Sequence, residues 1–319
     1  MTTKLTFGSD PEFMLTDAGG NLKSAIGVVN GTKEKKIKLG NGHEMFYDNV
    51  LVEVNVVPGS SSDQCIANFG DCLKRLSKAV YPLRINLRAS ATYPKAECKH
   101  PDALVFGCDP EYDAYELQQV MAPPGAAENT FRSAGGHMHL GVSKESWPLL
   151  AHVDDDTGDR MQRDWGRVWV VRMLDLFVGI PSLFIDQDPT SPARRKLYGK
   201  AGTHRPKEEY GVEYRATSNF WLGSPKLVTL MYDLCNFTVD FVAANDHMKL
   251  WDIGEDPMDA KCKSYKVDDL TSAINNTDKE LAGKFLKGVV KDQMPRALYT
   301  RILEACEPRK SSFQSEWGF

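Results

Sequence analysis

Asn49-Val-Leu-Val-Glu-Val-Asn-Val-Val57 is the clearest strand in the chain, and Pro58-Gly59 closes it. Its β-branched content and its punctuation are those of a pleated strand. Alternation puts Val50, Val52, Val54 and Val56 on one face and Leu51, Glu53 and Asn55 on the other. A parallel strand buried on both sides reads as a continuous apolar run, whereas this one is polar on one side. That favours a largely antiparallel sheet.

Working outward, residues 4–15 read as an opening strand, and Asp17-Ala-Gly-Gly-Asn21 carries strong hairpin chemistry. Residues 27–42 are rich in Gly and Lys and read as a loop. After the central strand, Ile66, Phe69, Leu73, Leu76 and Val80 repeat at helical spacing. A strand-like segment begins near Leu104, and residues 131–143 form another strand with a glycine pair inside it. Residues 161–184 are a long apolar helix that Gly179-Ile-Pro181 should kink or end. The polar, basic stretch 186–207 reads as a loop, and 210–220 as the last strand. Helices follow over 225–245 and about 268–307, then a polar tail. No linker composition divides the chain. The expectation is one α+β catalytic domain over 1–319, with core motifs in 5–222, a helical portion over 223–308 and a tail over 309–319.

The chain has 319 residues, a formal net charge of -4, 42% hydrophobic and 26% charged residues, the composition of a globular protein with a real core. Near-neutral charge leaves no broad footprint for nucleic acid. No apolar run is read as membrane-spanning, and residues 1–10 carry no signal-peptide core. Seven cysteines, without a Cys-x-x-Cys pair, read as reduced thiols, which suits a cytoplasmic setting.

Four segments place ligand-type residues at i and i+2, on one face of a strand. In Asp10-Pro-Glu12, proline holds Asp10 extended, so both carboxylates can point one way. Two such charges call for a cation such as Mg²⁺ or Mn²⁺; an exposed acidic strand end is the plain alternative. Glu53 and Asn55 lie in an apolar strand and need a metal, an ammonium group or a buried hydrogen-bond network. In Arg132-Ser-Ala-Gly-Gly-His-Met-His-Leu-Gly-Val-Ser143, His137 and His139 share a face, and the glycines allow a close approach. In Tyr210-Gly-Val-Glu-Tyr-Arg215, Glu213 and Arg215 share a face, as a site pair or a simple ion pair. Upstream, Arg194, Arg195, Lys196, Lys200, His204 and Arg205 suit phosphate oxygens; a solvated loop fits Arg194 and Arg195 best. Phe7-Gly-Ser-Asp-Pro-Glu-Phe13 also recurs as Phe106-Gly-Cys-Asp-Pro-Glu-Tyr112. There is no P-loop or Rossmann glycine fingerprint, so any ATP binds by another scheme.

This pattern resembles the glutamine synthetase and glutamate–cysteine ligase superfamily, which carries an acid-x-acid strand, later acids, a Gly-x-His-x-His strand and a closing Glu-x-Arg strand. Here Asp10-x-Glu12, Glu53, Gly136-His137-x-His139 and Glu213-x-Arg215 follow the same order. The chain looks still more like the phage-type carboxylate–amine ligases, the amidoligases, on the strength of Gly8-x-Asp-Pro-Glu-Phe13, Asp48-Asn-Val-x-x-Glu53, Phe106-Gly-Cys-Asp-Pro110 and Arg132-x-Ala-Gly-Gly-His-x-His139. These matches span residues 7–219, and the last hundred residues add nothing specific.

The resemblance implies a curved, mostly antiparallel sheet forming an open trough, with helices outside. It implies ATP and two Mg²⁺ or Mn²⁺ ions. Glu12 and Glu53 would hold one metal near the reacting carboxylate. Asp10, His137 and Glu213 would hold the other, bridging ATP phosphates. Arg205 and Arg215 would stabilise the transferred phosphoryl group, with Lys196 and Lys200 also at ATP. His139, Asn55, Arg132, Asp109 and Glu111 would face the carboxylate and amine substrates, whether small molecules, peptides or a macromolecular acceptor. Rings are common in that superfamily, so a homo-oligomer is also implied. Asp10 is shorter than the usual Glu, and only Glu53 is a secure acid in the second strand, with Asp48 as its weaker partner. The superfamily also includes phosphagen kinases, which stop at phosphoryl transfer. A metal- or nucleotide-binding phage protein without turnover is the non-enzymatic alternative.

Overall fold

The computed structural model describes residues 4–105, 111–120, 130–143, 158–253 and 259–319. Asp109 and the other residues of Phe106–Pro110 lie outside them.

Helices and strands mix around one large antiparallel sheet, of twelve strands among the described residues, that does not close into a barrel. The central strand is β5 (Leu51–Gly59), preceded by the hairpin β3 (Ile37–Gly40) and β4 (His43–Asp48). Along one edge of β5 run two short strands, β1 (Leu5–Ser9) and β2 (Glu12–Thr16). On the far side of β1 follow β7 (Met138–Val142), β9 (Gly211–Tyr214), β8 (Thr203–Lys207) and β6 (Glu111–Asp113), all antiparallel.

Several elements differ from the sequence reading. The opening strand is two, because Asp10-Pro11 interrupts it: β1 pairs with β7, and β2 pairs with β5. The segment 131–143 also divides at its glycines, and Phe131–Ser133 joins Ser90–Thr92 in a separate small sheet. The expected loop 27–42 ends in β3, turned into β4 through Gly40, Asn41 and Gly42, all at positive φ. The expected loop 186–207 holds α4 (Ser191–Leu197) and β8. The tail is not loose: Trp317 donates its indole N–H to the Leu222 carbonyl at 2.7 Å.

Helix α1 (Ser62–Ala79) starts at a Ser61 cap and buries Cys65, Phe69, Cys72, Leu73 and Leu76 against the apolar face of the sheet. The long apolar helix α2 (Gly158–Leu174) does not stop before proline. A π-helical turn at Asp175–Gly179 links it to α3 (Ile180–Ile185), which accommodates the missing Pro181 N–H. Trp165–Ile185 is long and apolar enough to cross a membrane by composition, contrary to the sequence reading, but 94% of that stretch is buried inside the protein. Helix α5 (Pro225–Ala243) packs on both α1 and α2.

Candidate active site

Strand register explains how dispersed residues meet. Glu213 in β9 pairs with His139 in β7 on one side and with Arg205 in β8 on the other. Antiparallel partners project to the same face, so the three side chains are neighbours. One strand further, Glu12 in β2 pairs with Glu53 in β5. Asp10 lies at the break between β1 and β2, so it reaches the first group while Glu12 belongs to the second.

Two ligand groups result. Asp10, His139 and Glu213 bring one ligand atom each to within 4.8 Å of one another, and so do Glu12, Asp48 and Glu53. Magnesium ligands at about 2.1 Å lie about 3 Å apart when adjacent in an octahedron and about 4.2 Å when opposite. Asp10 Oδ1 stands 3.0 Å from His139 Nε2, and Glu213 Oε2 stands 4.0 Å from it. Both Asp10 Oδ1 and His139 Nε2 are buried and are not aligned as a hydrogen bond. Such a donor set suits a hard divalent cation.

The groups differ electrically. Burial opposes the charge on Asp10, yet His139 and His137 hold its carboxyl well below the usual range. Burial and Asp10 also work against Glu213, but His137, Arg215 and His139 bring it down to about 2. Arg205 and Lys207 reach the same carboxylate at 3.2 and 2.8 Å, and Arg215 hydrogen-bonds it as well. In the second group, burial and then Asp48 push Glu12 up to about 7. Burial, then Asp10, Glu12 and Asp48, push Glu53 well above its ordinary value. The nearest cation in an ion pair with this group is Lys33, 3.2 Å from Asp48 and about half exposed.

The loop before β7 is fixed closely. Gly135 donates its N–H to Glu12 Oε2 at 2.7 Å, and Glu12 N–H returns a bond to the Gly135 carbonyl. A Cβ on Gly136 would lie 2.4 Å from the Ser218 carbonyl oxygen, so only glycine fits. Asn219 donates to the Glu12 carbonyl at 2.7 Å. These bonds tie the Gly-Gly turn, the start of β2 and the chain after β9 into one support.

Other expected site residues are placed differently. Arg132 is 3% exposed, and its guanidinium is bound to Asn49 and the carbonyls of Phe131 and Ala103. These bonds make it a clamp on the backbone. Arg194 and Arg195 are buried, not solvated. Arg194 grips the carbonyls of Ala134, Ala216 and Thr217, so it braces the segments around His137 and Arg215. Glu111 accepts from Arg215 Nε at 2.8 Å, and Asn55 donates to Glu44 at 3.2 Å. Lys196 and Lys200 are exposed. Asp109 lies outside the described residues.

Sequence reading missed three polar neighbours. Lys207 was legible: it alternates with Arg205 in β8. Tyr210 holds His139 Nδ1 at 2.6 Å, and Tyr198 meets both His137 Nε2, at 3.0 Å, and Arg215. No spacing marks either tyrosine in advance.

Residues 167–282 match the family model described as phage phiEco32-like COOH.NH2 ligase-type 2. No curated protein matches the chain. The matched stretch runs from within α2 through β8, β9 and α5 to α7 (Lys279–Phe285), the helix after α6 (Val267–Asn276). It contains Arg205, Lys207, Glu213 and Arg215, and it reaches into the last hundred residues, which carried no specific signal in the sequence reading. It supports the amidoligase family; the glutamine synthetase relation rests on the motif order alone.

Proposed function

From that family match, we propose that this chain is an ATP- and divalent-metal-dependent carboxylate–amine ligase built on a glutamine-synthetase-like sheet. The observation that carries the reading is the pairing of two carboxylate-rich ligand groups with Arg205, Lys207 and Arg215 around Glu213. Divalent ions, when bound, neutralise phosphate charge and polarise the reacting carboxylate. Asp10, His139 and Glu213 would hold one, and Glu12, Asp48 and Glu53 the other.

The chemistry has two steps. A substrate carboxylate oxygen attacks the γ-phosphorus of ATP, and the bond to the β-phosphate oxygen breaks, leaving ADP and an acyl phosphate. An amine nitrogen then attacks the acyl carbon, phosphate departs, the nitrogen loses a proton, and an amide remains. Arg205, Lys207 and Arg215 face the charge that develops on the transferred phosphoryl group, and the braced sheet holds them in place.

The test is incubation of the purified protein with ATP, Mg²⁺ and a small-molecule extract of host cells. ADP, phosphate and a new mass equal to carboxylate plus amine minus water are expected. AMP in place of ADP would overturn the acyl phosphate. A stable phosphorylated product without an amide would make the protein a phosphotransferase. No ATP turnover with extract, host protein or host DNA would remove the enzyme reading altogether.

A further inference from the structure

The resemblance assigns the first histidine of His137-Met-His139 to a metal and the second to substrate. Distances do not separate the two rings. His137 Nδ1 lies 3.3 Å from Asp10 and 3.5 Å from Glu213; His139 Nε2 lies 3.0 and 4.0 Å from the same acids. What surrounds each ring separates them. The nitrogen of His137 that faces the acids also has Arg215 Nη1 3.5 Å away, and its other nitrogen meets Tyr198. Cations stand beside the other ring's acid as well, with Arg205 and Lys207 at Glu213 Oε2, so the difference is that the acid-facing nitrogen of His137 already has Arg215 as a hydrogen-bond partner. His139 is paired across the strands with Glu213 itself. Its acid-facing nitrogen is buried and has no hydrogen-bond partner among the described residues, and the acid oxygen beside it, Asp10 Oδ1, is in the same condition. Gly8, its partner on the other side, adds no side chain to crowd the ring.

We propose that the imidazole ligand of the first metal in this chain is His139 through Nε2, with Tyr210 as its positioning residue, and that His137 is not a ligand. The assignment rests on the two-metal reading above. Tyr210 Oη stands 2.6 Å from Nδ1, and its ring lies nearly parallel to the imidazole, 19° between planes; with a metal on Nε2 it would accept the Nδ1–H. A hydrogen bond at the far nitrogen fixes the tautomer that leaves Nε2 free for a metal. His137 is instead one side of a Tyr198-centred link to Arg215, which positions that guanidinium.

The test uses Mn²⁺ with inorganic triphosphate, so that no nucleotide nitrogen is present. Pulsed electron paramagnetic resonance reads coupling of bound Mn²⁺ to an imidazole ¹⁴N. The coupling is expected in the wild type and in His137→Asn, and is lost in His139→Asn. Tyr210→Phe, a milder change, should keep the coupling while weakening Mn²⁺ binding at that site about tenfold. Coupling lost in His137→Asn but kept in His139→Asn overturns the assignment and leaves the ligase reading standing. Two Mn²⁺ ions bound without any ¹⁴N coupling also overturn it. Unaltered Mn²⁺ affinity in Tyr210→Phe removes the role of Tyr210. A wild type that binds no Mn²⁺ overturns both the assignment and the metal-dependent ligase reading.

Discussion

The two ligand groups sit on adjacent strands and contain five carboxylates, yet their surroundings are opposite. Around Asp10 and Glu213 the chain supplies His137, His139, Arg205, Lys207 and Arg215, and the acids stay ionised. Around Glu12 and Glu53 it supplies burial and more carboxylate, and the acids are pushed towards neutrality. The first group is balanced by protein cations whose fork-shaped donors also suit phosphate. The second lacks that balance, so a divalent ion changes its energy most.

The contrast is sharpened most by neutralising one acid from each group in metal-free protein. Glu213 is fully buried among three cations. Glu213→Gln should therefore lower unfolding stability by about 3–5 kcal/mol, because it strands buried positive charge. Chemical denaturation measures this; a change within about 0.5 kcal/mol would break the comparison. In turnover the second group matters as much. Glu12→Gln should lower the ATP-dependent rate at least about a hundredfold, the scale of losing one preorganised electrostatic contact, while the variant stays folded by circular dichroism.

In stability, Glu12→Gln and Glu53→Gln should act in the opposite direction from Glu213→Gln. The folded pKa of Glu12, about 7, lies above its ordinary 4.5, so the folded state holds the proton more tightly. The Glu12 contribution to stability therefore falls as pH rises from about 4.5 to about 7. Removing that slope should stabilise the metal-free variant by about 1–3 kcal/mol at pH 8. Glu213 has the reverse sign: its contribution is present above about 4.5 and is lost as pH falls towards 2. Added Mg²⁺ should raise the Tm of the wild type at pH 8, and raise it less in Glu53→Gln. The smallest effect belongs to Lys33→Ala, since a half-exposed pair with Asp48 contributes about 0–1 kcal/mol. A larger loss would mean that Lys33 does balance the second group.

The grouping of the carboxylates was partly legible in the sequence, because side chains two apart on a strand share a face. Asp10 and Glu12, or Glu213 and Arg215, stand at i and i+2 in apolar surroundings, the spacing of a common strand face, although Asp10 and Glu12 turn out to join different groups. The sheet was legible for the same reason at Leu51–Gly59. The four-residue strand Ile37–Gly40 was not, because so short a length hides its period and the lysines before it read as a loop. Nor were the breaks at Asp10-Pro11 and Gly135-Gly136, where continuous alternation conceals a change of partner. Arginine was the hardest residue to place. Arg132 reads as a substrate contact and Arg194 as a phosphate ligand or a solvated charge, but each bonds backbone carbonyls inside the protein. Arg167 does so too, at the Gly211 carbonyl that begins β9. Nothing in local spacing distinguishes a buried clamp from a free guanidinium; that depends on which distant carbonyls the fold leaves unpaired.

The most direct measurement is anomalous diffraction from crystals grown with Mn²⁺ and an unreactive ATP analogue. The account predicts two manganese peaks, one among Asp10, His139 and Glu213 and one among Glu12, Asp48 and Glu53, with the phosphates reaching Arg205 or Arg215. Peaks at neither group, with the nucleotide bound elsewhere, would contradict it.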